Sequence, residues 1–215
     1  MASQLCLPQI NVCALRVCSL NTNGTTLIGS ATSYATDAAV SIGLTPVYVD
    51  GQTTSELNGC GSNFINYTAD PTLTRWDLEL DVWSTDPNFL DIVLPGGAVL
   101  TGGSGEKGFA YPGIGTVTGQ ISLEFWQKRI NDNVLDATFP YAHHAMPFLK
   151  NIKLGKRDVS NNGVSHTIIT AEGYENDNWF NGPGDDWAVA SDKPYQWIPK
   201  ATLPTMNCTA ATIAS

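Results

Sequence analysis

The 215 residues carry 20 Asp and Glu against 11 Lys and Arg, a formal net charge of −9. That balance disfavours a nucleic-acid binder, which holds phosphate by displacing counterions with Lys and Arg. Apolar residues make up 42% and charged ones only 14%, and the rest is dominated by Gly, Asn, Ser and Thr, a composition of strands and turns rather than exposed helices.

One all-β domain spanning 1–215 with a single good core is expected at this length. Residues 1–10 read as a loose N-terminal arm, with Pro8 blocking an early regular element. The opening MASQLCLPQINV has neither a basic leader nor a continuous apolar run, and no segment approaches the ~20 apolar residues of a membrane span, so a soluble protein is expected. Val12 to Leu20 predicts the first strand, Asn21-Thr22-Asn23-Gly24 a turn, and Thr25 to Ile28 the returning arm of a hairpin. Val40 to Val49 predicts a further strand, which Gly43 and Pro46 confine to an edge or a bulge. Asp50 to Ser62 (DGQTTSELNGCGS) has three glycines and almost no apolar residues. It reads as a flexible loop and, at that length, as a candidate contact element along Asp50, Glu56 and Gly59. Phe64 to Thr68 resumes the sheet.

The stretch Leu73 to Gly97 organises the chain. Trp76, Leu78, Leu80 and Val82 alternate with Arg75, Asp77, Glu79, Asp81 and Trp83, the period of a strand buried on one face and charged on the other. Asp86-Pro87 then supplies a helix N-cap and the proline favoured at the first helical position. Phe89, Leu90, Val93 and Leu94 fall on one side of a short helix that Pro95-Gly96-Gly97 ends.

A second flexible loop is expected over 101–119, which holds seven glycines. It is not a phosphate loop: neither G-x-G-x-x-G nor GxxxxGK[ST] occurs, and Lys107 is followed by Gly108. Val117 to Ile130 predicts the longest strand, with Ile121, Leu123 and Phe125 on one side and Ser122, Glu124, Trp126 and Lys128 on the other. Trp126 among polar neighbours marks either a capped sheet surface or a partner contact. Strands follow over Val134 to Phe139, Met146 to Leu154 and Val164 to Ala171, the last after a hairpin turn at Ser160-Asn161-Asn162-Gly163. Glu172 to Trp187 (EGYENDNWFNGPGDDW) reads as an ordered, docked loop anchored by Tyr174, Trp179, Phe180 and Trp187. Residues 188–215, with Pro194, Pro199 and Pro204, read as an extended C-terminal tail.

Little in this pattern points to chemistry, and neither catalysis, a cofactor nor a metal is expected. His143 and His144 are adjacent, which on a strand sends them to opposite faces. Asp185 and Asp186 with Glu175 and Asp177 lack calcium-loop spacing, and Ser104 in GGSGE is not a hydrolase elbow. Asp77 and Glu79 share a face, but a carboxylate pair alone does not make a glycosidase. The five cysteines form no CxxC pair; they read as free thiols, or as a Cys60 to Cys208 or intersubunit disulfide.

Several stretches in order resemble one family. They are VCALRVCSLNTNG, LTPVYVDGQ leading to NGCGSNFINYTADPTLTR, TDPNFLDIVLPGG, ISLEFWQKR and ENDNWFNGPGDDW, which span most of residues 10–190. Together they are similar to the major tail (tail tube) proteins of long-tailed, non-contractile bacteriophages, especially those of actinobacterial hosts. The resemblance implies a β-sandwich or barrel with one flanking α-helix, long loops and extended terminal arms. It implies self-assembly into six-fold rings that stack into a tube for DNA ejection. The partners it implies are copies of itself and the tail terminator, distal tail and tape measure proteins, with transient passage of DNA and no membrane; the localisation it implies is the virion.

Six copies at −9 each would carry a formal charge of about −54, and an acidic bore repels phosphate so that DNA slides. Candidate lumen-lining residues are Asp77, Glu79 and Asp81 with Arg75 as counter-charge, and Glu124 with Lys128; the same faces could instead meet solvent or another ring. Trp126, Trp179 and Trp187 join Asp50, Glu56 and Gly59 as candidate inter-subunit contacts. The alternative is a carbohydrate-binding β-sandwich of a phage tail, in which those tryptophans stack on sugar rings.

Overall fold

The computed structural model describes residues 9–207 apart from 28, 30, 58, 84–85, 114–118, 132–133, 156–165, 180–181, 184–186 and 188–192. The fold is mainly β, with antiparallel strands and one short helix among the described residues.

The first strand, β1 (Gln9–Ser19), sends Leu15 and Val17 into the core, and it already includes Gln9 and Ile10, which the sequence reading assigned to the arm. The Asn21 side chain closes the next turn by accepting the amides of Asn23 and Thr25, each at 2.9 Å, and Gly24 takes φ 82. The expected returning arm is reduced to one bridge, Leu20 with Thr26. A strand with no sequence pattern follows, β2 (Ser33–Thr36), held by Tyr34, whose hydroxyl donates to Asp86 and whose ring packs edge-on against Phe89.

Next come β3 (Ala39–Val49) and β4 (Thr53–Leu57), a turn, then β5 (Asn63–Thr68) and β6 (Thr72–Val82). β3 pairs with β6 and β4 with β5, so residues 39–82 form one long hairpin, whose base as far as Trp76 lies in the main sheet beside β12 and whose outer part is a two-stranded arm with its tip near Gly61. The arm narrows at Gly51, where any Cβ would overlap the Ala69 carbonyl. Two expectations are corrected. Residues 50–62 are not a structureless loop, because Thr53 to Leu57, polar and β-branched, pairs along Ile65 to Thr68. Phe64 to Thr68 does not rejoin the main sheet.

Asp86 caps α1 (Pro87–Val93), accepting the Asn88 amide at 2.8 Å, and Phe89, Leu90, Ile92 and Val93 are buried. After it, β7 (Ala98–Thr101) and β8 (Lys107–Ala110) form a small hairpin inside the stretch expected to be a flexible loop over 101–119. Glycines set its turn, with Gly105 at φ 92, rather than dissolving it.

The rest of the body is β9 (Ile121–Asn131), β10 (Val134–Leu135), β11 (Tyr141–Leu154), β12 (Thr167–Tyr174) and β13 (Gln196–Lys200). The last corrects the reading of 188–215 as an extended tail, since β13 pairs with the first half of β11 in the place β12 takes along the second half. The turn expected at Ser160 to Gly163 and the residues 1–8 of the expected arm lie outside the described residues.

The main sheet runs β2-β1-β9-β11-β12-β6-β3, with β10 beside β9. β1 also lies against β3, so the sheet curls until its halves face each other as in a sandwich. Its concave face buries Leu78, Leu80 and Val82 of β6, Leu123 and Phe125 of β9, and Met146 and Leu149 of β11, and α1 packs into the same cluster. The alternation in β6 falls as the sequence predicts, and β3 is an edge strand with two register shifts. No helix among the described residues is long and apolar enough to cross a membrane.

Candidate interaction surface

The convex face of the sheet has two halves of opposite character. Over β1, β9 and β11 it is sealed. The segment after β12 crosses it, with Trp179 and Trp187 buried against Ala145 and Ile198. Glu124 sits at the centre. It receives the Arg16 Nε–H at 2.6 Å, lies 2.9 Å from His143 Nε2, and accepts the Trp187 Nε1–H at 3.3 Å. Trp126 stacks on the His143 ring at 4.1 Å with the Arg16 guanidinium over its indole. Arg16 Nη2 also donates to the Pro183 carbonyl, and Asn176 donates from one amide nitrogen to the carbonyls of Gly24 and Pro147, so the crossing segment is tied down at both ends.

Four expectations fall here. Glu124 cannot line a lumen, being 1% exposed and paired inside the subunit. Trp126, Trp179 and Trp187 are buried by their own chain and are not contacts between subunits. The physical reason is that a polar strand face reads the same whether water or a later segment of the chain covers it. Lys128, half-buried on β9 opposite Ile10 and Tyr141, is not among these four. The docked loop itself was foreseen, and what hid its target is the ~50-residue separation from β9.

Over β12, β6 and β3 the convex face is open. Asp77, Glu79 and Asp81 project from β6 as the alternation predicts, and Arg75 Nε donates to Asp77 at 2.8 Å. Glu172, opposite Asp77 on β12, joins them and was not singled out from the sequence; the alternation through Ile169, Ala171 and Gly173 was the available signal. The Tyr174 hydroxyl and the Asn151 amide each donate to Glu172 at 2.7 Å and hold its carboxyl below the usual range. Asp81 lies 3.1 Å from His166 Nδ1. Between β3, β6 and β12 a shallow concavity of about 500 Å³ is lined by Thr45, Asp77, Glu79, Lys153, Thr170 and Glu172. Three carboxylates and one lysine line it, with Arg75 paired to Asp77 at its side, so its formal charge is negative.

The arm is the third feature. Tyr48, Val49, Leu57, Ile65, Tyr67 and Leu73 are exposed along it, and β4 pairs with nothing but β5 among the described residues. Asp50 stands at the narrowing, Glu56 lies in β4 opposite Ile65, and Gly59 in the tip.

Among the described residues no three of His, Cys, Asp and Glu are grouped to hold a metal ion. Cys13 and Cys18 are free thiols, and burial, with Glu124 adding to it, pushes Cys18 up to about 12. Cys60 is exposed in the arm's tip, while Cys208 and the Asp185-Asp186 pair lie outside the described residues. No family model matches the chain, and a search of curated proteins found no significant match to it.

Proposed function

We propose that this chain is a structural subunit that associates with copies of itself into stacked rings, a tail tube protein of a long-tailed bacteriophage whose bore conducts DNA. The arm carries this reading. A two-stranded hairpin is marginal in water by itself, and this one exposes tyrosine, valine, leucine and isoleucine that the rest of the described chain leaves uncovered. A neighbouring copy is the partner that would cover it. The open acidic trough on β6 and β12 supports the second part: repeated around a ring it lines a channel with Asp77, Glu79, Asp81 and Glu172, which repels phosphate and favours passage over retention. The six-fold count comes from the family resemblance.

The sugar-binding reading loses its platform, because Trp126, Trp179 and Trp187 are all buried. The test is negative-stain electron microscopy of the concentrated protein together with the mass of its dilute form. Hollow rods of uniform width are expected; a compact monomer at every concentration refutes the proposal.

A further inference from the structure

The open sheet ends in two edges, β2 and β3, and the chain treats them differently. Ala35, in the middle of β2, has both of its backbone groups turned away from β1 and engaged by one residue. Its N–H donates to Asn207 Oδ1 at 2.8 Å, and its carbonyl accepts the Asn207 N–H at 2.8 Å. Two opposed residues of an antiparallel ladder exchange this pair of bonds, and here the side-chain carbonyl of Asn207 replaces the main-chain one. One pleat earlier, the Ser33 N–H is turned back onto the Gly29 carbonyl at 2.9 Å. The Ser33 N–H and both outward groups of Ala35, in a strand of four residues, are thus engaged by the chain itself. β3 has no such cap among the described residues: its eleven residues include no charged side chain, and its protection is Pro46 and two register shifts.

We propose that Asn207, at the end of the segment that follows β13, is a removable strand surrogate, which caps the β2 edge of the free subunit and leaves when a strand of a second copy pairs there. This rests on the self-association reading above and adds how it is held in check. Asn207 is exposed, so water competes for both of its bonds and they are worth little net. Tyr34 and Thr36 are buried, so β2 stays in place when the cap departs. A neighbouring strand offers a longer ladder than one asparagine can. Copies joined head to tail, the β2 edge of one to an open edge of the next, close into a ring without free edges.

The test compares the full chain with Asn207→Ala, which loses the acceptor for the Ala35 N–H, and Asn207→Asp, which keeps one. Two quantities are read: the exchange rate of the Ala35 amide in dilute protein, and the concentration at which sedimentation velocity detects association. For Asn207→Ala, Ala35 exchange roughly tenfold faster and association at roughly tenfold lower concentration are expected, with Asn207→Asp like the parent. Association of Asn207→Ala at the same or higher concentration overturns the cap, as does no association of any of the three chains, or an Asp variant indistinguishable from Ala. Earlier association into particles other than hollow rods supports the cap and overturns the tube. Rods with the same onset for all three chains do the reverse.

Discussion

Oε1 of Glu124 lies 2.9 Å from Nε2 of His143, both side chains are buried, and the other carboxylate oxygen holds Arg16. The carboxylate joins three partners from three parts of the chain: β1, β11 and the crossing segment that brings Trp187. Removing it leaves the half-buried Arg16 without this ion pair, leaves the buried His143 without its carboxylate partner, and releases the indole. Glu124→Ala is therefore expected to cost about 3–5 kcal/mol in urea unfolding and to shift tryptophan emission to the red. Glu124→Gln, which keeps the shape and one acceptor, is expected to lose less. Equal stability of Glu124→Ala and the parent would show that the cluster is solvated rather than sealed.

This cluster also marks how far the sequence can be read. The alternation of β6, the Asp86 cap with Pro87, and the edge position of β3 are local, written in period and turn chemistry within a few residues, and they fold as predicted. Glu124 and Trp126 were legible as one face of a strand but not as a covered one, because the cover comes from Trp179 and Trp187 far along the chain. β4 was missed because a polar two-stranded arm has no buried face to impose alternation on it; all five of its residues are exposed. β2 and β13 were missed because they are short and are placed by tertiary contacts, Tyr34 on Phe89 and β13 on β11. Of the acidic trough, the strip on β6 was visible, whereas Glu172 needed the pairing of β12 with β6.

His144 lies on the opposite face of β11 from His143, stacked at 4.5 Å on Phe125 and 2.6 Å from the Tyr195 hydroxyl. Burial, with the neighbouring His143 adding to it, pushes its imidazole from the ordinary 6.5 down to about 4. Between those values the unfolded chain binds a proton that the folded chain refuses, so this residue's contribution to stability falls as pH drops from about 6.5 to 4. The full loss is on the order of 3 kcal/mol. Thermal melts of the parent are expected to fall over pH 6.5 to 5, before most carboxylates titrate. In His144→Phe, which keeps the stack on Phe125, that slope is expected to flatten; an unchanged slope would assign it to other groups.

The acidic strip on β6 lies outside the buried core, with Glu79 exposed and Asp77 and Asp81 partly so. Arg75 and Asp77 are 36% and 45% exposed, so water screens their ion pair and it contributes little. Replacing Asp77, Glu79 and Asp81 together by lysine is expected to leave the sheet folded by circular dichroism. The parent is expected not to retain duplex DNA in a mobility-shift assay, and the triple variant to retain it with an affinity that falls steeply with salt. Retention of DNA by the parent at low salt would contradict a repelling channel.

Stability and association should separate most cleanly on the arm. Ile65 and Tyr67 stand two residues apart on β5 and keep 42% and 63% of their surface exposed in the folded subunit, outside its buried core. Replacing both with aspartate is expected to change the melting temperature of the dilute protein by less than about 2 °C. If a second copy covers the arm, the same change places two charges in an apolar contact, where each costs several kcal/mol unless paired. Association is then expected to vanish at concentrations where the parent forms rods, read by sedimentation and electron microscopy side by side. A double variant that melts like the parent and still assembles would mean that the arm's apolar residues face solvent in the assembly, and that ring contacts lie elsewhere on the sheet.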